Sequence, residues 1–425
     1  MKIIKAVCVG AGNRGCIYSD FALSRPDLMK LVAVVDPHEG RRNELAERHG
    51  IPKDMRFASV YEFTERAPEC DLVINATMDE IHFEVGIPII EAGYDMLIEK
   101  PVSADPDELL VLHARAKELG RRVFVCHVLR YTPFYKAIKD RIVRGDIGKI
   151  VSINMYEHVG VAHFLESYVV GKWRSERECG SPFLLAKSCH DLDIMCWLNS
   201  ETVPDAVASF GNRALFVSAN APEGASDACH TCKYEDTCRY SLTNIFKNLR
   251  QLWRRMSLDI GKPMSEITQE DIDAHLKVSN YGKCVYADRD LVDRQNVIVN
   301  FKNGSVGSFA LVGAVAKANR GIHIVGELGE IFGTHADHSF TVRIFDFKNK
   351  RNIEEVVTTH ADPKDVHGGG DAGIMTELCE YLNGDRSSHS ITMLENSVYS
   401  HLTVYAAEKS RKDGVVVNLC EEYKN

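Results

Sequence analysis

The sequence predicts an α/β protein in two parts. A doubly wound parallel sheet over residues 1–130 is followed, over 131–425, by a second α/β domain on a large open, mostly antiparallel sheet. Three observations predict this. The chain opens with a short apolar run that breaks into glycines, Val9-Gly10-Ala11-Gly12-Asn13-Arg14-Gly15. Strand-length apolar runs then alternate with helix-compatible runs to about residue 130, the pattern of a parallel sheet with helices on both faces. Beyond that point the runs alternate apolar and polar residues, as half-buried antiparallel strands do.

In the first part the expected strands are 3–9, 31–36, 72–76, 96–99 and 122–126. The expected helices are 13–23, 39–49, 60–66, 80–92 and 106–119, with Gly50, Gly93 and Gly120 marking three helix ends. In the second part a helix over 133–144 precedes a long strand over 150–158. Runs 297–301, 306–313 and 321–325 read as neighbours in one antiparallel sheet, with Lys302-Asn303-Gly304 as a hairpin turn and 326–330 as a further turn. A strand over 339–345 follows. Helices over 373–382 and 394–412 close the chain and are expected to return to the first domain.

A length of 425 residues suits two domains. The net charge of −9, with no Lys/Arg block, argues against nucleic acid or an anionic membrane as partner. No apolar run approaches the ~18 residues of a membrane span, and the first residues lack a signal-peptide layout. With 13 cysteines, these features predict a cytoplasmic protein with mostly free thiols.

The spacing Gly10-x-Gly12-x-x-Gly15 between strand and helix suits a dinucleotide. Gly10 permits the sharp turn, Gly12 lets the pyrophosphate approach the backbone, and Gly15 lets helix pack on strand. The pyrophosphate would take the free N–H groups of the helix N-terminus. The second strand ends in Asp36, whose carboxylate can accept both hydroxyls of the adenosine ribose and repels a 2′-phosphate. NAD is therefore favoured over NADP. Glu99-Lys100-Pro101 ends the fourth strand, which places Lys100 where ligands bind in such sheets, able to bond a substrate hydroxyl.

The glycine pattern, the strand-end Asp and Glu-Lys-Pro, in that order, resemble the glucose–fructose oxidoreductase/inositol dehydrogenase (Gfo/Idh/MocA) family across essentially the whole chain. The resemblance implies a Rossmann domain followed by an α/β domain whose open sheet often forms an oligomer interface, here a dimer or tetramer. It also implies NAD(P)-linked hydride transfer at a carbinol carbon of a small-molecule sugar or cyclitol. Thr77 and His82 fall in the segment that lines the cofactor, joined by Asn13, Arg14, Glu99 and His127. His127-Val128-Leu129-Arg130-Tyr131 matches the family's Asn/His-x-x-Arg-Tyr, with Arg130 on the substrate side.

A second catalytic stretch contains Lys187, His190 and Asp191, which helical spacing puts near one another. His190 can take the carbinol proton, while Lys187 and Asp191 meet the substrate. The family usually carries an acid four residues before this histidine; here residue 186 is Ala. His163, Trp173 and Arg174 offer a ring, an indole and a guanidinium to a sugar. His367-Gly368-Gly369-Gly370-Asp371 precedes a helix, with Asp371 as N-cap and substrate contact. Cys229, Cys232, Cys238 and Cys284 have the spacing and number for a structural zinc, stapling a Cys-rich insertion around 225–290 whose stretch 248–275 reads as helical.

These readings converge on an NAD-dependent oxidoreductase acting on a CH–OH group, with Lys100 and His190 as its catalytic pair. A redox-neutral glycoside-cleaving enzyme that oxidises C3 transiently is the alternative, and a non-enzymatic NAD-dependent sensor a third.

Overall fold

The computed structural model describes residues 1–247, 258, 260–262, 266–361 and 366–423. Its first sheet has six strands: β1 (Ile4–Val9), β2 (Met29–Val35), β3 (Arg56–Phe57), β4 (Leu72–Asn75), β5 (Met96–Ile98) and β6 (Val123–Val125). They lie in the order β3-β2-β1-β4-β5-β6, all parallel. The strand order reverses between β1 and β4, and a doubly wound sheet binds ligands at that crevice. Helices cover both faces, so β4, β5 and β6 are buried along their whole length. The short β3 was not expected: two residues carry no period.

Caps explain where helices start. Asp105 accepts from Asp107 N at 2.7 Å ahead of Pro106–Glu118, and Thr132 caps Pro133–Val143. Each helix has Pro in its first turn, where a missing N–H costs nothing.

The second sheet contains β7 (Ile150–Gly160), β8 (Pro204–Asn212), β9 (Arg294–Phe301), β10 (Val306–Val315), β11 (Asn319–Gly326), β12 (Gly329–Thr334), β13 (Ser339–Asp346), β14 (Arg351–Thr358) and β15 (Val417–Asn418). The order is β14-β13-β12-β11-β7-β10-β9-β8-β15. Among the described residues every neighbouring pair is antiparallel except β7 with β10. The β9–β10 hairpin turns at Gly304 (φ +86) as expected. One expectation fails: β10 and β11 are not neighbours, because β7 lies between them. Ala314, at φ +61, breaks the register and carries the chain across the end of β7. An alternating pattern says which face is buried, not which strand is adjacent.

Helix Phe183–Leu198 lies under this sheet and is buried on nearly every side. The closing helices return to the first sheet. Tyr405 Oη donates to Ser103 O at 2.6 Å, and Val125 N donates to Thr392 O at 2.8 Å. Helix Gly370–Leu382 is tied back by Arg14 to Asp371 at 2.6 Å. The helical expectation over 248–275 lies partly outside the described residues; its described end belongs to helix Gln269–Val278. Among the described residues no helix is long and apolar enough to cross a membrane.

Candidate active site

At the crevice, backbone does the work. A Cβ on Gly10 (φ +91) would sit 2.6 Å from Ala76 O, and one on Gly15 would sit 2.0 Å from Gly10 O. Gly12 faces open space, with nothing within 4 Å of its would-be Cβ. It also precedes helix Asn13–Ser24, which has no side-chain cap. The first N–H groups of that helix are thus left for an anion. Asp36, buried at the end of β2, accepts from Ala11 N and His38 N, each at 2.8 Å. Both oxygens keep a lone pair for a diol. A turn that only glycine fits, an uncapped helix start and a fixed strand-end carboxylate together fit a dinucleotide.

Glu99 ends β5 as a buried acceptor for Arg14 Nε (2.7 Å), Tyr18 Oη (2.7 Å) and Lys100 N (2.9 Å). Burial pushes its carboxyl up, but Arg14 and Lys100 prevail and hold it below the ordinary value. Thr77 Oγ1 donates to Asn75 at 2.7 Å. His82 differs from its expected role. Its Nδ1 lies 2.6 Å from Pro101 O and its Nε2 3.0 Å from Thr77 O, so it clasps two loops and has neither nitrogen to spare for a cofactor.

Lys100 crosses to the second domain, where its Nζ donates to Ala186 O at 2.7 Å, one helical turn before His190. His190 is 5% exposed, and its Nδ1 has no partner among the described residues. Burial, Lys100 and His127 push its pKa well below the ordinary value, so it is neutral and able to accept a proton. His127 lies behind it, ring centres 5.6 Å apart, wholly buried and pushed down to about 3 by burial. It backs His190 rather than reaching a cofactor. Arg130 is likewise no substrate ligand: it grips Asp193 through two bonds of 2.6 Å, both groups buried.

Beside His190 stands a cluster of paired charges. Arg320 Nε lies 2.8 Å from both Glu157 Oε2 and Asp191 Oδ1, and Lys187 Nζ lies 3.4 Å from Glu157 Oε1. Arg320 on β11 pairs in register with Glu157 on β7, so both side chains leave the sheet toward the helix. Burial pushes the Asp191 carboxyl up to about 6 despite Arg320. It pushes Lys187 down, with Glu157 pulling the other way. His163, just past β7, is lowered by burial and by Lys187 and His367.

The family models with an NAD-binding Rossmann fold and with the oxidoreductase family's C-terminal alpha/beta domain match residues 4–127 and 139–419. The chain belongs to the Gfo/Idh/MocA oxidoreductase family. It is similar to YteT of Bacillus subtilis (strain 168), 24% identical over 77% of this chain and 77% of that protein. It is 31% identical to scyllo-inositol 2-dehydrogenase (NAD(+)) of the same organism, over 34% of this chain and 42% of that one. An inositol dehydrogenase homologue from Azotobacter vinelandii, solved with NAD+, shares the fold with a TM-score of 0.69 at 16% identity, covering 98% and 97% of the two chains.

Three other family-guided expectations resolve differently. Trp173 donates from Nε1 to Asp79 Oδ2 at 3.0 Å and stacks on Tyr168, tying its loop to the first domain. Arg174 bonds within its own loop, to Glu178 and to Gly171 O, rather than within the cluster. Asp371 is not the N-cap. Gly369 (φ +90) holds that position, and Asp371 pairs with Arg14 and with His367 at 3.0 Å. The glycines let this helix press on Val128 and Tyr131, since a Cβ on Gly370 would meet Val128 O at 2.4 Å.

Cys229, Cys232, Cys238 and Cys284 line one cavity of about 20 Å³ with Tyr234, Tyr240 and Tyr286. All four are free thiols, and burial raises Cys229 and Cys284. Among the described residues no group of three or more His, Cys, Asp or Glu is arranged to hold a metal ion, so the expected zinc lacks support.

Glu157, Arg320 and Asp79 escaped the sequence reading. Glu157 had a signal: it shares the parity of Ile153 and Met155 in an alternating strand, which puts an acid on the buried face. Arg320 had none, because its partners lie more than 120 residues away.

Proposed function

We propose that the chain oxidises a carbinol carbon of a sugar, sugar derivative or cyclitol, with residues 1–130 holding NAD and residues 131–425 the substrate. One observation carries this reading: Lys100 from the first domain reaches Ala186 O, one helical turn before His190 of the second, close enough for its charge to depress the His190 pKa. Gly10–Gly15 and Asp36 would hold the cofactor, with Asn13, Arg14 and Thr77 at the same end. Bound NAD supplies the hydride acceptor. Lys100 is placed to hold the carbinol oxygen, and His190, kept neutral, takes its proton. Lys187, Arg320, Asp191 and His163 supply donors and acceptors for the remaining hydroxyls.

The test is a panel of hexoses, cyclitols and methyl and nitrophenyl glycosides, with NADH absorbance and released aglycone followed together. NADH without aglycone is expected. Aglycone without NADH identifies a redox-neutral cleaving enzyme instead.

Two structural proposals accompany it. The four thiols sharing one cavity would close on a zinc ion as a four-cysteine staple. Elemental analysis of chelator-free protein should find about one zinc per chain; none, with all four thiols titrating, rejects it. The outer face of the second sheet, with Ile298, Val306 and Val356 exposed, would pair chains into a homo-oligomer. The free thiols suit the reducing cytoplasm.

A further inference from the structure

The oxidation just proposed yields one proton for each hydride, and that proton has to leave. His190 is poorly placed to deliver it, being 5% exposed. Residue 186 is Ala, so no acid stands one turn before it, and Nδ1 has no partner among the described residues. An imidazole without a carboxylate behind it holds a proton poorly.

His367 has what His190 lacks. Its Nδ1 lies 3.0 Å from Asp371 Oδ2, and Arg14 fixes Asp371 at 2.6 Å. Burial pushes the Asp371 carboxyl up, but His367 and Arg14 hold it far below the usual range. A carboxylate only accepts, so Nδ1 of His367 carries the hydrogen and Nε2 is left to take a proton. The ring centres of His367 and His190 are 6.4 Å apart, and the His367 side chain is 34% exposed. It therefore adjoins both the buried imidazole and solvent.

The backbone is committed to this placement. His367 stands at φ 58, ψ 27, a left-handed conformation unusual for histidine, and Gly368 and Gly369 continue the turn at φ +62 and +90. Gly370 and Gly373 seat the following helix on Val128 and Tyr131, which fixes the turn over the cleft. The other titratable groups around the ring are Arg14, Lys187, His163, His190 and His335.

We propose that His367, oriented by Asp371, is the proton relay of the cleft, taking from His190 the proton of the carbinol and passing it to solvent. This rests on the oxidation reading above. The carbinol O–H bond breaks as an N–H bond forms on His190, and the O–H electron pair becomes the second bond of the new carbonyl. That N–H breaks as Nε2–H forms on His367. The last N–H then breaks to water or buffer, and both rings end neutral. Asp371 is a positioning residue: it fixes the tautomer and stabilises the imidazolium.

The test uses the full chain, NAD and the best substrate of the panel in dilute buffer. His367→Asn keeps a donor for Asp371 and tolerates the left-handed backbone, but cannot relay. It should lower kcat at least about tenfold with KM little changed, and added imidazole should restore the rate while leaving wild type unaffected. Asp371→Asn should move the acid limb of the kcat profile to lower pH. Wild-type turnover of His367→Asn in dilute buffer overturns the relay, as does a loss that imidazole does not restore. Nitrogen-15 NMR of the histidines in NAD-loaded protein tests it without turnover. A Nδ1–H tautomer at His367, lost in Asp371→Asn, supports the relay; a Nε2–H tautomer in the wild type overturns it. If no substrate reduces NAD, the oxidation reading fails while the NMR result still decides the orientation claim.

Discussion

The two ends of the cleft are built from different materials. At the cofactor end six consecutive residues, 10–15, shape the site with backbone, and one strand-end acid completes it. At the substrate end the groups are side chains from residues 100, 157, 187, 190, 320 and 367, brought together by two sheets and a buried helix. A backbone site fails when a Cβ is added. A side-chain site fails when one charge or one ring is removed.

The sharpest contrast comes from the catalytic pair. His190→Ala and Lys100→Ala should each lower kcat by about 10²–10⁴ while NAD still binds, and Lys187→Ala should mainly raise KM. Fluorescence titration with NAD beside steady-state kinetics separates these outcomes. Near-normal turnover of His190→Ala would move the base elsewhere in the cleft.

Arg130→Ala probes the strut behind the site. It leaves the buried Asp193 carboxylate without its guanidinium, with only Ser400 Oγ at 3.2 Å and His127 Nε2 at 3.6 Å beside it, which should cost up to about 3–5 kcal/mol of stability, read by urea unfolding. KM of the remaining folded enzyme should hold, since Arg130 does not line the cluster.

Gly15→Ala tests the backbone end. Its Cβ would meet Gly10 O at 2.0 Å, so overpacking of about 1–3 kcal/mol is expected. NAD should weaken while its discrimination against NADP survives. Asp36→Ala should do the reverse, weakening NAD less and relaxing that discrimination. Equal wild-type affinity for both cofactors would remove Asp36 from the argument.

A further effect, gradual rather than abrupt, is on stability against pH. His127 is buried neutral, its folded pKa pushed down to about 3 by burial, against an unfolded value of about 6.5. Below pH ~6.5 the unfolded chain takes up a proton that the folded one refuses. Stability is therefore full above that pH and falls as the solution is acidified toward pH 3, by roughly 1.4 kcal/mol per unit in the steepest range. Unfolding midpoints at pH 7.5, 6 and 5 would show the loss; a flat profile would mean that His127 is hydrated or paired.

The same contrast explains what could be read from sequence. Gly10, Gly12, Gly15, Asp36 and Lys100 were legible because a tight turn and a strand end are local, and each demands a residue type. In the second domain β7, β9, β10, β11 and β13 were legible as elements and β8, β12, β14 and β15 were not; the β9–β10 hairpin was legible from its turn, but nothing local told β10 that β7 would come between it and β11. Arg130 and His127 sat in a recognisable motif, yet burial against Asp193 and His190 decides their work. His82 was placed by position alone, and its two carbonyl partners show it to be a clasp. Arg320 needed the register of β7 with β11, which no single stretch contains.

The central claim is transfer of a hydride from a carbinol carbon, and isotope placement tests it most directly. The best substrate of the panel, deuterated at its carbinol carbon, is incubated with wild-type enzyme and NAD, and the nucleotide is recovered for NMR. Deuterium at C4 of the reduced nicotinamide, appearing about 10²–10⁴ times more slowly with His190→Ala, is the predicted result. Unlabelled or unreduced nucleotide alongside a consumed substrate would contradict the account.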